Sequence, residues 1–151
     1  MKNTKIYLAG GMRTKWQKKV KDAIKNHLIE TFGDHSSGIV SVIFYDPCEK
    51  EGRDNPEGIA TIKRSFDEYT TWDLHHVKMA DIVFVYVERS NPGVIGSCCE
   101  LSYAKGLGKT VILVLEEDHE TIPDRYLNFM KKLSDVTFNN LEDGINYLKI
   151  F

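Results

Sequence analysis

The feature that most constrains the fold is a set of short, almost uninterrupted apolar runs: residues 39–45, Ile82–Val87 and residues 109–115, with a shorter one at 6–10. A strand with one wet face alternates apolar and polar residues. A run without alternation is buried on both sides, as in a parallel sheet covered by helices. Helical periodicity lies between the runs. Trp16, Val20, Ala23, Ile24 and Leu28 share one side of a helix whose other side carries Lys15, Lys18, Lys19 and Lys25. From about 59 to 80, Ile62, Phe66, Tyr69, Trp72, Asp73, His76 and Val77 do the same. A helix of small residues opens near Gly96-Ser97, another spans 126–133, a weak strand 136–138 and a last helix 141–151. Strands alternating with helices predict a doubly wound, flavodoxin-like α/β three-layer sandwich with a five-stranded parallel sheet.

The 151 residues suit a single domain over 1–151, with neither repeat nor long linker. A chain of this length buries enough surface to fold without a metal or disulfide framework. Twenty Lys and Arg against 22 Asp and Glu give a net charge of −2, which argues against a nucleic-acid polymer as partner. Three cysteines, two of them the neighbours Cys98 and Cys99, make no closed disulfide set and fit a reducing cytoplasm. The apolar stretch after the basic start is too short for a secretory signal, and no run approaches a membrane span.

In an open α/β sheet, ligands bind beyond the carboxyl ends of the strands. Residues 10–13, 46–55 and 89–100 belong there. Several motifs near these positions fail. Gly106-Leu107-Gly108-Lys109-Thr110 has Tyr103 where a phosphate loop needs its first glycine, and helix and strand come in the wrong order, so Gly108 is a helix stop. Gly10-Gly11 lacks the third, spaced glycine of a dinucleotide fingerprint. His75-His76 has no carboxylate at metal-ligand spacing, and Cys98-Cys99 fits helix packing, so no metal or cofactor is expected.

Glu100 is the residue that does not fail. Placed at a helix opening, it would be held ionised by the helix dipole and aimed at the sheet edge. Gly96-Ser97 offers a close-approach turn just before it, Gly10-Gly11 a neighbouring strand end, and Tyr7 a hydrogen-bond donor. Asp73, set among Trp72, Leu74 and Val77, would have its pKa raised by partial burial. Two carboxylates tuned apart make a nucleophile and a general acid, the logic of retaining glycoside cleavage.

These residues resemble the nucleoside 2-deoxyribosyltransferases and their nucleotide N-glycosidase relatives. The likeness runs through Lys5-Ile6-Tyr7-Leu8-Ala9-Gly10-Gly11, Trp72-Asp73-Leu74, Ala80-Asp81-Ile82-Val83 and Gly96-Ser97-Cys98-Cys99-Glu100-Leu101-Ser102-Tyr103-Ala104, with Gly108-Lys109 after it. The resemblance implies that Glu100 attacks the anomeric carbon, that Asp73 protonates or orients the departing base, and that Tyr7 positions Glu100. It implies sugar contacts at Gly10, Gly11, Met12, Gly96 and Ser97. It also implies a homo-oligomer, dimer or higher, whose sites borrow a neighbour's residue, here Asn128.

The sequence departs from the transferases at Val94, six residues before Glu100, where they carry Asp and the nucleotide-cleaving relatives Ser. Ser90 and Asn91 in the same loop are the substitutes available. Arg13 stands where the N-glycosidases also have Arg, placed for a 5′-phosphate or the base. The leading expectation is therefore hydrolysis of a nucleoside 5′-monophosphate, pyrimidine slightly preferred. Deoxyribosyl transfer through the same ester is the alternative, and a non-catalytic nucleotide-binding module a third.

Overall fold

The structure is a computed structural model that describes residues 2–11, 13–33, 40–47, 66–91 and 93–151. Ten elements follow in order: β1 (Lys2–Gly10), α1 (Trp16–Phe32), β2 (Val40–Tyr45), α2 (Phe66–Met79), β3 (Ile82–Val87), α3 (Val94–Gly106), β4 (Thr110–Leu115), α4 (Asp124–Leu133), β5 (Val136–Phe138) and α5 (Leu141–Leu148). The strands form one five-stranded sheet in the order β2-β1-β3-β4-β5, parallel throughout. This is the doubly wound arrangement that the apolar runs predict.

The period-two alternation of side chains divides the interior into two cores. Tyr7, Ala9, Val83, Val85, Val111 and Leu113 face α2, α3 and α4, where Val77, Leu101, Leu127 and Met130 meet them. Ile6, Leu8, Ile82, Phe84, Tyr86, Ile112 and Val114 face α1 and α5, against Trp16, Val20, Ile24, Ile145 and Leu148. Every residue of β3 is buried, as expected for a strand covered on both faces.

Several boundaries differ from the sequence expectation; α4, for one, begins at Asp124 and not at Tyr126. β1 begins at Lys2 because Lys2 to Lys5 pair with Val40 to Ile43 of β2, and backbone pairing at that end needs no apolar side chain. α3 opens at Val94, ahead of Gly96-Ser97. α5 stops at Leu148, short of the chain end. Gly108, with φ 70, supplies the left-handed turn between α3 and β4. Among the described residues no helix is long and apolar enough to cross a membrane.

The order of strands reverses between β1 and β3, and the loops after these two strands separate to opposite faces there. A buried ion pair fixes one side of this crevice: Lys21 Nζ of α1 lies 2.6 Å from Asp46 Oδ2, whose side chain is fully enclosed at the end of β2. Pro47, next in the chain, belongs to the cavity described below.

Candidate active site

Three elements bring three ionisable side chains together at the switch point. Tyr7 points from β1 toward the α2–α4 side, as its place in the strand's alternation dictates, and is completely buried. Its hydroxyl donates to Glu100 Oε1 of α3 at 2.7 Å. Asp73 of α2 is also within hydrogen-bonding reach of that hydroxyl. Burial and the two carboxylates together push the Tyr7 phenol far above its usual range, so it stays a fixed proton donor.

Glu100 is the seventh residue of α3, two turns inside the helix and not at its opening. The free N–H groups expected to hold it ionised lie earlier, around Val94. Burial instead pushes its pKa from 4.5 up to about 8; the Tyr7 hydrogen bond opposes the rise and the Asp73 charge adds to it. The expected tuning is thus corrected for Glu100: desolvation outweighs the helix dipole, whose effect is confined to the first turn.

Gly10, Pro47, Asp73, Gly93, Gly96, Ser97 and Glu100 line a cavity of about 160 Å³. Gly96, Ser97 and Glu100 share one face of α3 through their i, i+1 and i+4 spacing, so the helix presents a hydroxyl and a carboxylate to the same space. Among the described residues a Cβ at Gly96 would meet no atom within 4 Å, and the open space beside it is that of the cavity. Gly10 has φ 153, and a Cβ on it would stand 2.4 Å from the Tyr86 carbonyl oxygen. A Cβ on Gly11 would stand 1.5 Å from Asn91 Nδ2, so this glycine admits the Asn91 amide.

The remaining sequence candidates lie as follows. Asn91 is buried; its Oδ1 accepts from Gly93 N at 2.9 Å, and its amide fills the space beside Gly11. Ser90 is exposed in the same loop. Arg13 is exposed just beyond Gly11 and has no ion pair among the described residues. Asn128 is exposed on α4, apart from the cavity lining. Met12 and the loop residues 48–55 lie outside the described residues. Val94 is buried at 4 % exposure and places no polar group on the cavity.

Asp81 sits at the opposite, amino edge of the sheet, accepting from Lys5 N at 2.8 Å. His76 donates through Nδ1 to the Trp72 carbonyl at 2.8 Å and stacks on its indole. Among the described residues no group of His, Cys, Asp and Glu is arranged to hold a metal ion. A larger hollow of about 370 Å³ at the ends of β4 and β5 is lined by Leu115, Glu117, Lys131, Thr137, Phe138 and Asn139. It pairs no nucleophile with a positioned proton donor, so the smaller cavity is the chemically competent one.

Sequence reasoning did not single out Glu116 or His119. Glu116 accepts from the Tyr86 hydroxyl at 2.6 Å and from Arg89 N at 2.8 Å, and His119 is buried against Asn91. Only the fold exposes their role, since nothing in a run such as Glu116-Glu117-Asp118-His119-Glu120 marks one histidine as interior.

The family model described as "Nucleoside 2-deoxyribosyltransferase like" matches residues 3–118. No curated protein matches the sequence. Among solved structures, the 2-deoxyribosyltransferase of Bacillus psychrosaccharolyticus is 26 % identical with a TM-score of 0.56, covering 95 % of this chain and 92 % of its own. A conserved protein of Enterococcus faecalis V583 has a TM-score of 0.65 at 15 % identity, with 99 % of both chains covered. The CMP N-glycosidase BcmB of Clostridium botulinum has a TM-score of 0.54 at 20 % identity, covering 97 % of this chain and 98 % of its own. These last two share the fold. With the match spanning β1 to the loop after β4, and with it every element that lines the cavity, the chain belongs to the nucleoside 2-deoxyribosyltransferase-like family.

Proposed function

We propose that the protein cleaves the N-glycosidic bond of a nucleoside 5′-monophosphate, with Glu100 as nucleophile and water as the final acceptor. The family is one of N-glycosyl transferases and hydrolases, and the chain is an enzyme of that kind. The observation that carries the finer reading is the Tyr7–Glu100 hydrogen bond beside Asp73, at the wall of a cavity sized for one sugar. At ~30 Å³ per water, the cavity holds about five waters, the scale of a pentose ring.

In the first half-reaction a Glu100 oxygen bonds to C1′ while the C1′–N bond breaks. The electron pair leaves with the base, which Asp73 protonates or orients. In the second, water adds to C1′ and gives up a proton to the Asp73 carboxylate or to the departing base, the ester bond breaks and Glu100 regains its carboxylate. Tyr7 holds the reacting carboxyl in place throughout. Gly93, Gly96 and Ser97 border the sugar, and Gly10 shapes the floor beneath it.

Arg13 and Val94 favour a nucleotide and water. Arg13 is an exposed cation beside the switch point with no ion pair among the described residues, available to a 5′-phosphate. Val94 is turned into the core and offers the sugar no carboxylate. Incubation with nucleoside monophosphates and with free nucleosides tests this: base is released from the monophosphates, and Arg13→Ala raises KM for them about tenfold or more. Base exchange between free deoxynucleosides, with the monophosphates inert, would establish the transferase instead. That second reading is favoured by the 26 % identity to the Bacillus 2-deoxyribosyltransferase. Pyrimidine bases are the expected preference.

Among the described residues the cavity is of one-sugar scale, and in this account a second subunit contributes to enclosing the base and phosphate. Asn128 stands between Tyr126 and Phe129, which are 63 % and 66 % exposed. Ile95 and Tyr103 lie exposed on α3, which packs beside α4. Asn128 reaches a neighbour's site from this apolar face. Mixing Glu100→Gln subunits with Asn128→Ala subunits then restores activity beyond that of either alone. A monomer of full activity would remove the shared site.

A further inference from the structure

The loop carrying Asn91 and Gly93 contributes Gly93 to the cavity's rim. It is laced to the segment after β4. Glu116 N donates to the Val87 carbonyl at 3.2 Å, Glu116 Oε2 accepts from Arg89 N at 2.8 Å, and Glu120 N donates to the Arg89 carbonyl at 3.0 Å. The last connection is His119, 8 % exposed, whose Nε2 lies 2.8 Å from the Asn91 carbonyl oxygen.

The partners of the ring decide its tautomer. Nδ1 faces the backbone N–H groups of Ile122 at 3.1 Å and Thr121 at 3.3 Å, so it must accept. Nε2 therefore carries the hydrogen and donates to Asn91. The ring joins two jobs. One nitrogen ties its own turn, and the other pins the residue whose side chain accepts from Gly93 N and packs into the space over Gly11. Removing the donor leaves a buried carbonyl unpaired and frees the Asn91 hinge.

We infer that His119 is a positioning residue, whose Nε2–H bond to Asn91 holds the side chain that packs over Gly11 and fixes Gly93 at the rim of the sugar cavity. The assignment rests on the proposed glycosidic site for its effect on catalysis, while the bond itself can be measured in the free protein. Two substitutions separate the jobs. His119→Asn keeps an acceptor near Nδ1 and deletes the donor; His119→Gln keeps a donor near Nε2 and deletes the acceptor.

For His119→Asn, the Gly93 amide in the free protein exchanges with solvent about tenfold faster, and KM for a nucleoside monophosphate rises about tenfold. The pH midpoint of kcat/KM stays where it is, because Tyr7, Asp73 and Glu100 are untouched. For His119→Gln, thermal stability drops but KM and Gly93 exchange stay near wild type. Unchanged KM and exchange in His119→Asn would overturn the inference, as would equal loss in both variants. If His119→Asn does not fold, ¹⁵N NMR of the wild-type ring decides: the Nε2–H tautomer supports the assignment and the Nδ1–H tautomer overturns it. A wild type that releases no base would defeat the glycosidic reading alone, leaving the exchange comparison to judge His119.

Discussion

Glu100→Gln is expected to lower base release at least ~10³-fold while the protein folds and still binds its substrate, because a nucleophile acting as part of a unit is not replaced by its neighbours. The amide keeps an oxygen for the Tyr7 hydroxyl at the same position. The same variant carries a stability signature that a surface carboxylate would not give. Between the ordinary value of 4.5 and about 8, folded Glu100 keeps a proton that the unfolded chain has lost. Stability therefore falls as pH rises through that window, and is greatest, as far as this group contributes, below it. Glu100→Gln removes that dependence. At pH 9 the variant should be more stable than wild type by about 2–3 kcal/mol, less than the full shift implies since the carboxyl borders a hydrated cavity. Denaturant titrations at pH 5 and pH 9 measure it. A variant weakened equally at both would contradict the burial of Glu100 as a protonated acid.

The pH profile of activity is the second large effect. A nucleophilic carboxylate must be ionised, and a group with a pKa of about 8 is only about one-tenth ionised at neutrality. In the free enzyme kcat/KM is therefore expected to climb between pH 6 and 9 with a midpoint near 8. Tyr7→Phe deletes the hydrogen bond that favours the ionised form, and the midpoint moves up by about one unit. Its kcat falls about 10–100-fold from the loss of positioning. The shift separates Tyr7 from a residue that merely fills the core: a packing defect lowers stability but leaves the midpoint alone. A profile flat from pH 6 to 9, or one that falls with rising pH, would remove Glu100 as the ionising nucleophile.

The fold was legible because its signals are local and repeated. Ile82 to Val87 could be recognised as a doubly covered strand from its own six residues, and β3 is buried along its whole length. Position in the alternation of β1 also foretold that Tyr7 and Ile6 would face different cores. The cluster of Tyr7, Asp73 and Glu100 was visible for a different reason, namely its likeness to a known sequence pattern. Its electrostatics were not visible. Whether Glu100 opens its helix or lies two turns inside depends on Val94 starting α3, and that boundary reversed the expected sign of the pKa shift. Long-range pairings such as Lys21–Asp46 and His119–Asn91 join residues 25 and 28 positions apart, and no periodicity records them. Gly11 illustrates the same limit. Its sequence context points to a ligand against bare backbone, whereas the space it opens is taken by the Asn91 amide.

The most direct test of the central claim is to quench wild-type protein in acid during turnover of a nucleoside monophosphate and weigh the intact chain. The account predicts an added mass equal to the nucleotide less its free base, mapped by digestion to the peptide bearing Glu100, and absent from Glu100→Gln. Base release with no adduct on Glu100, and a sugar product of inverted anomeric configuration, would contradict it.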